Sequence, residues 1–413
     1  MEVKPGYKLT EVGVIPEDWE VKRLGEVTEC LDNLRVPLNE RQREKIQGDL
    51  PYCGANGILD YINSFSIDDD IILMAEDGGY FDEYDSRPIA YRMIGRCWVN
   101  NHAHILKALP SYNQDFLFWC LVHRNILSYL ASGTRAKLNK SEMNKIEMSI
   151  PPLPEQAAIA TTLSDVDVLI SALDVLISKK KQIKQGAMQE LLSGKRRLPG
   201  FSGEWQVKRL GELGSTYGGL TGKTKSDFGS GKAFYITFMN IMSNVIINSS
   251  EFDMVKIGSN EKQNIVLNND IFFNGSSETP EEVGLCAVLQ TKVENVYLNS
   301  FCFGYRLHIN ESADGLFLAY YFRSNVGREL LKSLAQGATR YNLSKRALLM
   351  VEFQLPPFPE QQAIATILSD MDAEITALES RRKKTRALKQ GMMQELLTGR
   401  IRLIHPAAHA VSA

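Results

Sequence analysis

The sequence predicts an α+β protein. Two mixed α/β domains are joined by two long helices that pair as an antiparallel coiled coil, with internal pseudo-two-fold symmetry. Three observations predict this: a set of blocks written twice, a heptad rhythm inside the repeated blocks, and unlike inserts between them. At 413 residues the chain exceeds one ordinary core, so two or more domains are expected.

The repeats come first. "KQGAMQELLSG" from Lys184 returns as "KQGMMQELLTG" from Lys389 with two changes in eleven positions. "PPLPEQAAIATTLSDVD" at 151–167 matches "PPFPEQQAIATILSDMD" at 356–372 in 13 of 17 positions. "VKRLGE" occurs at 21–26 and 207–212, each after a Trp (Trp19, Trp205) and one intervening residue, and "TRAKLNKS" from Thr134 answers "TRYNLSKR" from Thr339. Residues 28–130 and 214–335 show no such likeness. The boundaries that follow are a first mixed domain at 1–150, a long helix at 151–198, a second mixed domain at 199–355, a second long helix at 356–403, and a loose tail at 404–413.

The repeated frames read as helices. Proline at the start and Glu155 in the first turn suit the positive end of a helix dipole. Ile159, Leu163, Val166, Ile170, Leu173 and Ile177 then step by four and three, as do Ile364, Leu368, Met371, Ile375 and Leu378. That is a heptad seam, and two helices with matching seams bury each other most economically. A duplicated chain with two-fold pseudo-symmetry sets them antiparallel. Gly194 and Gly399 are natural stops, followed by basic residues. Gly186 and Gly391 sit inside the helices, either as kinks or where a partner helix approaches closely.

Within the inserts, 71–74 and the stretch around 98–106 read as strands, and "QDFLFWCLVHRNILSYLASG" as a helix. In the second insert "FYITFMNI", "IVLNNDIFFN" and "VYLNSFCFGYRLHI" read as strands, and "GLFLAYYFRSNVGRELLKSLAQG" as a helix. Asn56-Gly57 and Asn274-Gly275 read as turns. Each insert ends on a helix, a glycine (Gly133, Gly337) and then Thr-Arg.

Bulk chemistry excludes several functions. Hydrophobic content of 44% and charged content of 23% describe a soluble protein; no apolar leader or spanning segment is evident, so a cytoplasmic protein without membrane attachment is expected. The six cysteines lack any C-x-x-C pair and read as reduced, mostly buried thiols. Net charge is −2, so any grip on phosphates is local or shared with other subunits. "YGGLTGKTKS" resembles a phosphate loop, but position 217 is Tyr217 where the motif needs glycine. It reads instead as a DNA-contacting loop or a plain surface loop. His102 and His104 alternate on one strand face without a third metal ligand nearby, and hydrogen bonding to a base or the local backbone suits them better. The carboxylates at 68–70 and 76–77 read as solvated turns. No catalytic constellation and no metal site is expected.

The repeated motifs resemble the specificity subunits of type I restriction–modification enzymes. The resemblance rests on "W-x-V-K-R-L-G-E" opening each half, "P-P-[LF]-P-E-Q-x-A-I-A" starting each long helix, and "K-Q-G-x-M-Q-E-L-L-[ST]-G" closing it. It implies two target recognition domains, each reading one half of a bipartite, asymmetric DNA site across a spacer set by the coiled coil. It also implies docking of two modification subunits, which hold S-adenosylmethionine and methylate adenine at N6, and of restriction subunits that hydrolyse ATP. S-adenosylmethionine, ATP and magnesium are expected only on those partners, and the chain is expected to be non-catalytic by itself. The alternatives are a protein-binding coiled-coil scaffold without DNA readout and a stand-alone DNA-acting enzyme.

Candidate DNA contacts are the loop polar residues of the inserts: Arg41, Arg43, Asn56, Thr134, Arg135 and Lys137 in the first half. In the second they are Lys223, Thr224, Lys225, Ser276, Ser277, Thr339, Arg340, Tyr341 and Asn342. An arginine of the recurring Thr-Arg loop either forks onto guanine or holds a phosphate. Candidate partner-docking residues are Gly186, Met188, Leu191 and Leu192, with Gly391, Met393, Leu396 and Leu397.

Overall fold

A computed structural model describes residues 3–131, 136–309, 313–337 and 339–404. The chain divides into two compact units. The first comprises residues 1–174 and 380–413, the second residues 175–379. Each therefore holds one mixed domain, part of one long helix and part of the other.

In the first unit, Glu20–Arg23 pairs antiparallel with Glu147–Ile150, closing the domain's two ends onto each other. Between them lies a six-stranded sheet in the order Thr28–Cys30, Ala103–Ala108, Ile67–Ala75, Ala90–Val99, Gln47–Gly54 and Gly57–Ile62. All neighbours are antiparallel except Gln47–Gly54 with Ala90–Val99. The strand run at 71–74 is apolar throughout because both faces are covered. Alternate residues point to opposite faces, so Ile72 and Met74 join a core with the helix Gln114–Leu121, while Ile71 and Leu73 pack with Cys97, Val99 and Ile105.

The second unit follows the same plan. Gln206–Arg209 pairs with Glu352–Leu355. A four-stranded sheet runs Gly214–Gly218, Cys302–Leu307, Ile271–Asn274 and Cys286–Val288, and a three-stranded sheet runs Phe252–Val255, Phe228–Ile236 and Val296–Leu298. Several apolar runs are cut where the sequence reading had them continuous. The second "strand" of the first insert is two strands around a turn at 100–102, and "VYLNSFCFGYRLHI" is divided at 299–301. "FYITFMNI" changes to helix at Phe238 because Thr237 caps it, its side chain accepting from Asn240 N. Ser324 likewise ends Gly315–Arg323 and caps Asn325–Ser333. Of the helix-like run that ends the first insert, only Gln114–Leu121 is α-helical among the described residues, and Leu127–Tyr129 forms a short turn. Gly57 takes the positive φ of a turn residue, at 125°. Asn274, in contrast, is buried with its side chain bonded to Glu282 O and Ser276 N.

The long helices are Leu153–Leu191 and Phe358–Leu396, 39 residues each. Gly194 and Gly399 follow them at φ 70° and 69°, in the left-handed conformation that ends helices. Within the first unit Asp167 pairs with Lys389, and Asp174 with Arg382 at 2.6 Å and Arg386 at 3.0 Å. Within the second, Lys180 pairs with Glu374 and Lys181 with Glu379, each at 2.7 Å, and Lys184 with Asp372 at 2.5 Å. Numbers rise on one helix as they fall on the other, so in each unit the segments run antiparallel.

The seam residues Ile159, Leu163, Ile170, Leu173, Ile177, Ile364, Leu368 and Ile375 are buried, and Val166, Met371 and Leu378 half-buried. Their partners are not only the opposite helix. Ile159 and Leu163 belong to the first domain's core together with Leu396, and Ile364 and Leu368 to the second's together with Leu191 and Leu192. The helix ends are thus welded to the domains.

Candidate nucleic-acid interface

Each repeated motif makes a joint. In the first unit Glu155 is buried and accepts from Trp19 Nε1 at 3.1 Å and from Arg402 at 2.7 Å. In the second, buried Glu360 accepts from Trp205 Nε1 at 3.3 Å and from Arg197. The neighbouring Gln156 and Gln361 accept from Asn113 N and Asp314 N, tying each helix start to the cap of a domain helix. Lys389 lies 4.5 Å over the Trp119 ring and Lys184 5.5 Å over Tyr320. The repeats therefore serve first to orient each domain on its helices.

Away from these joints, three short segments meet at one sheet end in each unit. In the first unit they are 76–77, 100–102 and the described residues Ala131 and Lys137. Glu76 N donates to His102 O at 2.9 Å, and backbone bridges link Asp77 and Ala131 to Lys137. In the second they are 275–276, 299–301 and residues 336–337 with 339–342. Gly275 N donates to Phe301 O at 3.3 Å, Ser276 pairs with Asn342, Ser277 with Tyr341, and Gln336 with Asn342. Glu76 thus corresponds to Gly275, Asp77 to Ser276, His102 to Phe301, Ala131 to Gln336 and Lys137 to Asn342. The arrangement brings together Ser276, Ser277, Arg340, Tyr341 and Asn342, with Arg340 Nη2 3.4 Å from Ser276 Oγ. Thr339 and Arg340 are exposed. Ser277 is not free for a ligand, since it is buried and donates to Glu282 at 2.7 Å. In the first unit Asn56 reaches the same platform, donating to Gly78 O at 2.8 Å. Thr134 and Arg135 lie outside the described residues.

Lys137 belongs to the first platform, and the other candidates lie elsewhere. Lys137 is half-buried and paired with Glu76 at 2.9 Å. Arg43 donates to Asp60 and Leu38 O with its guanidinium 5.1 Å over Tyr52, so it braces a loop; Arg41 on the same short helix is exposed. Lys223 is turned back onto Lys256 O at 2.6 Å and Glu261 at 2.5 Å, and Thr224 caps the turn Lys225–Asp227. The phosphate-loop lookalike is therefore a self-bonded turn in which Lys225 is exposed.

A charged cluster lies beneath the first platform. His104 is 1% exposed, with Nδ1 2.7 Å from Asp32 and Nε2 2.8 Å from Leu138 O. Both partners are acceptors, so both ring nitrogens carry hydrogen. Burial alone would lower its pKa, but the bonds to Asp32, Cys30 and the Leu138 carbonyl prevail and raise it to about 9. Glu76 joins through Arg35 and Lys137, which outweigh its own burial and hold its carboxyl below the usual range. The carboxylates at 68–70 are likewise strand residues paired with Arg96, Lys107 and Arg92 rather than solvated turns. Cys30, Asp32 and His104 offer three donor atoms within 4.8 Å of one another, but a metal would have to displace the hydrogen bond between Asp32 and His104. The described cysteines are free thiols, Cys30 half-buried and the others buried.

The docking candidates divide into two sets. Leu191, Leu192 and Leu396 are buried in their own domain cores and cannot meet a partner. Met188, Met393 and Leu397 are half-buried against those cores. A groove in the second unit is lined by Lys184, Gln185, Met188 and Gln189, and one in the first by Lys389, Gln390, Met393 and Gln394. These are the same positions of the repeated motif. At Gly186 and Gly391 an added Cβ would meet nothing within 4 Å, so among the described residues no other helix packs closely there.

The sequence reading missed the turns at 100–102 and 299–301 as a matched pair. Their shared signal is one asparagine, Asn100 or Asn299, whose Oδ1 accepts the backbone N–H two residues on.

Comparison with known proteins agrees. A model of the type I restriction modification DNA specificity domain matches twice, at residues 16–185 and 202–387. A type I restriction enzyme specificity subunit of Methanocaldococcus jannaschii is 23% identical over 436 residues, covering 94% of both chains. A predicted specificity subunit of Haemophilus influenzae is 36% identical over 152 residues, and the chain spans 38% of that relative's length. The crystal structure of a type I S subunit from M. genitalium shares the fold, with a TM-score of 0.61 at 15% identity over 95% of this chain and 98% of that one. Among the described residues no helix is long and apolar enough to cross a membrane. With both halves matched in sequence and fold, the chain belongs to the type I restriction–modification DNA specificity family and is a DNA-recognising subunit of that class.

Proposed function

We propose that each domain reads one half of a bipartite, asymmetric DNA site, that the paired helices set the spacer, and that the two motif-lined grooves each dock one modification subunit. The observation that carries this reading is the duplicated platform, alike in backbone and unlike in side chains. Two copies of one frame holding two different surfaces fit a site whose halves differ. A helix of 39 residues is about 58 Å long at 1.5 Å per residue. That is enough to bridge half-sites roughly 34–36 Å apart on one face of DNA. Equivalent grooves built from the same lysine, glutamine and methionine positions suit two equivalent partners. In this reading S-adenosylmethionine for adenine N6 methylation, and ATP with magnesium for restriction, are held by the partners, and this chain supplies specificity and assembly.

Single-molecule sequencing of host DNA after co-expression with the modification subunit tests the reading. A two-part motif with N6-methyladenine in each half is the expected result. Unmethylated DNA, despite a stable complex on a sizing column, would leave a protein scaffold instead.

A further inference from the structure

The turns at 100–102 and 299–301 have a role that the repeated motifs do not explain. Each is fixed from two sides: Asn100 Oδ1 accepts His102 N at 2.8 Å and Asn299 Oδ1 accepts Phe301 N at 2.9 Å. Each carbonyl at the tip accepts from the neighbouring segment, His102 O from Glu76 N and Phe301 O from Gly275 N. The backbone is thus rigid where the side chain is displayed. The His102 side chain is 43% exposed, and Phe301 is 62% exposed. Single exposed aromatics are common on protein surfaces and carry little meaning alone. Here the exposed side chain recurs at the same structural position in both units, with different chemistry on the same backbone.

The surroundings favour nucleic acid. Phe301 is one backbone bond from Gly275, and the next residue, Ser276, touches Arg340. An exposed cation beside an exposed aromatic is what a phosphate and a base require of adjacent positions. In the first unit Asp77 lies 2.6 Å from His102 Nδ1. A carboxylate accepts, so Nδ1 carries the hydrogen and Nε2 is left as the ring's remaining polar atom. That atom can hydrogen-bond a base edge in the major groove. Phe301 has no polar atom and matches the thymine methyl group.

We propose that His102 and Phe301 are the base-reading side chains at the tip of the same braced turn in the two domains, His102 by a hydrogen bond to a base edge and Phe301 by apolar contact with a base methyl group. The proposal rests on the bipartite reading above and deepens it.

The test selects bound duplexes from a randomised pool with the co-purified specificity–modification complex. Phe301→Ala is expected to lose roughly ten-fold discrimination at one base position of one half-site, leaving the other half and the salt dependence of non-specific binding unchanged. His102→Ala is expected to do the same in the opposite half. Phe301→His places the other domain's chemistry on this turn and should change the preferred base rather than erase the preference. If all three variants select the parental site with unaltered preference at every position, the proposal is overturned. A uniform loss of affinity with a shallower salt slope overturns it too, since it marks phosphate contacts. Failure of the unaltered complex to select a two-part site would instead remove the bipartite reading on which the proposal stands.

Discussion

Arg197 grips Glu360 with two parallel hydrogen bonds, Nε to Oε1 and Nη2 to Oε2, each at 2.6 Å, and the carboxylate is fully buried. Arg402 does the same for Glu155 in the other unit, adding Asp18 at 2.8 Å. Each arginine follows a helix-ending glycine and reaches the first turn of the other long helix. Removing one partner of a buried ion pair leaves a buried charge without compensation. Arg197→Ala should therefore lower unfolding free energy by about 3 kcal/mol. Arg197→Lys should recover only part of it, because an ammonium cannot reproduce the planar fork. Urea denaturation of the three proteins measures both differences; equal midpoints would remove the clasp from the fold's determinants.

His104 makes stability fall in alkaline solution. Its folded pKa of about 9 stands above the ordinary 6.5, so the unfolded chain releases this proton first. The contribution is complete below pH 6.5 and is lost as pH rises through 9, on the order of 3 kcal/mol at the limit. Denaturation midpoints between pH 6 and 10 should decline over this window. His104→Gln should be less stable throughout and should lack that part of the slope.

The frame of this protein was legible and its reading surface was not, for one physical reason. A helix seam, a proline start and a glycine stop are local patterns, and Ile159, Leu163, Gly194 and their repeats display them directly. The clasp was half visible: Trp19 and Glu155 stood out as repeated, but only the fold brings Arg402 to them across hundreds of residues. The platform depends on pairings between distant short segments, and of these only the Thr-Arg loop and the turn asparagines Asn100 and Asn299 recur in sequence. Backbone bonds such as Glu76 N to His102 O and Gly275 N to Phe301 O place few demands on side chains, so little likeness survives at those segments to be read. Lys223 failed as a candidate because a sequence shows a lysine in a loop without showing Glu261 and the Lys256 carbonyl waiting for it.

Gly186 and Gly391 separate the subunit's own stability from its assembly. Glycine inside a helix costs about 1 kcal/mol relative to alanine, and an added methyl group meets nothing within 4 Å at either site. Gly186→Ala and Gly391→Ala should each stabilise the isolated chain by about that amount. If a partner helix packs closely there, the same variants should weaken complex formation with the modification subunit. Tighter assembly would show the glycines to be incidental.

Arg340 lies beside the platform, exposed, with its guanidinium 3.4 Å from Ser276 Oγ. A phosphate contact is expected. Arg340→Ala should weaken binding to all sequences alike and reduce the slope of log affinity against log salt by about one. Salt titration of the complex on specific and unrelated duplexes distinguishes this from a base contact, which would relax one position and leave the slope unchanged.

The spacer prediction tests the helices as a ruler. Four residues inserted after Leu173, with four more after Leu378, extend each helix by about 6 Å. Leu173 and Leu378 are equivalent seam positions in the two repeats, so the insertions alter both helices alike, while the clasps at Glu155 and Glu360 lie at the helix starts and are untouched. Six ångströms correspond to about two base pairs at 3.4 Å per step. The inserted segment also turns the helices, since four residues exceed one turn of 3.6 by about 40°. Two base pairs rotate DNA by about 70°, taking 10–10.5 base pairs per turn, so the two rotations need not cancel and affinity should drop. Sequencing of methylated DNA should nonetheless show the same half-sites separated by a longer spacer. An unchanged spacer with both halves still methylated would show that something other than these helices sets the distance.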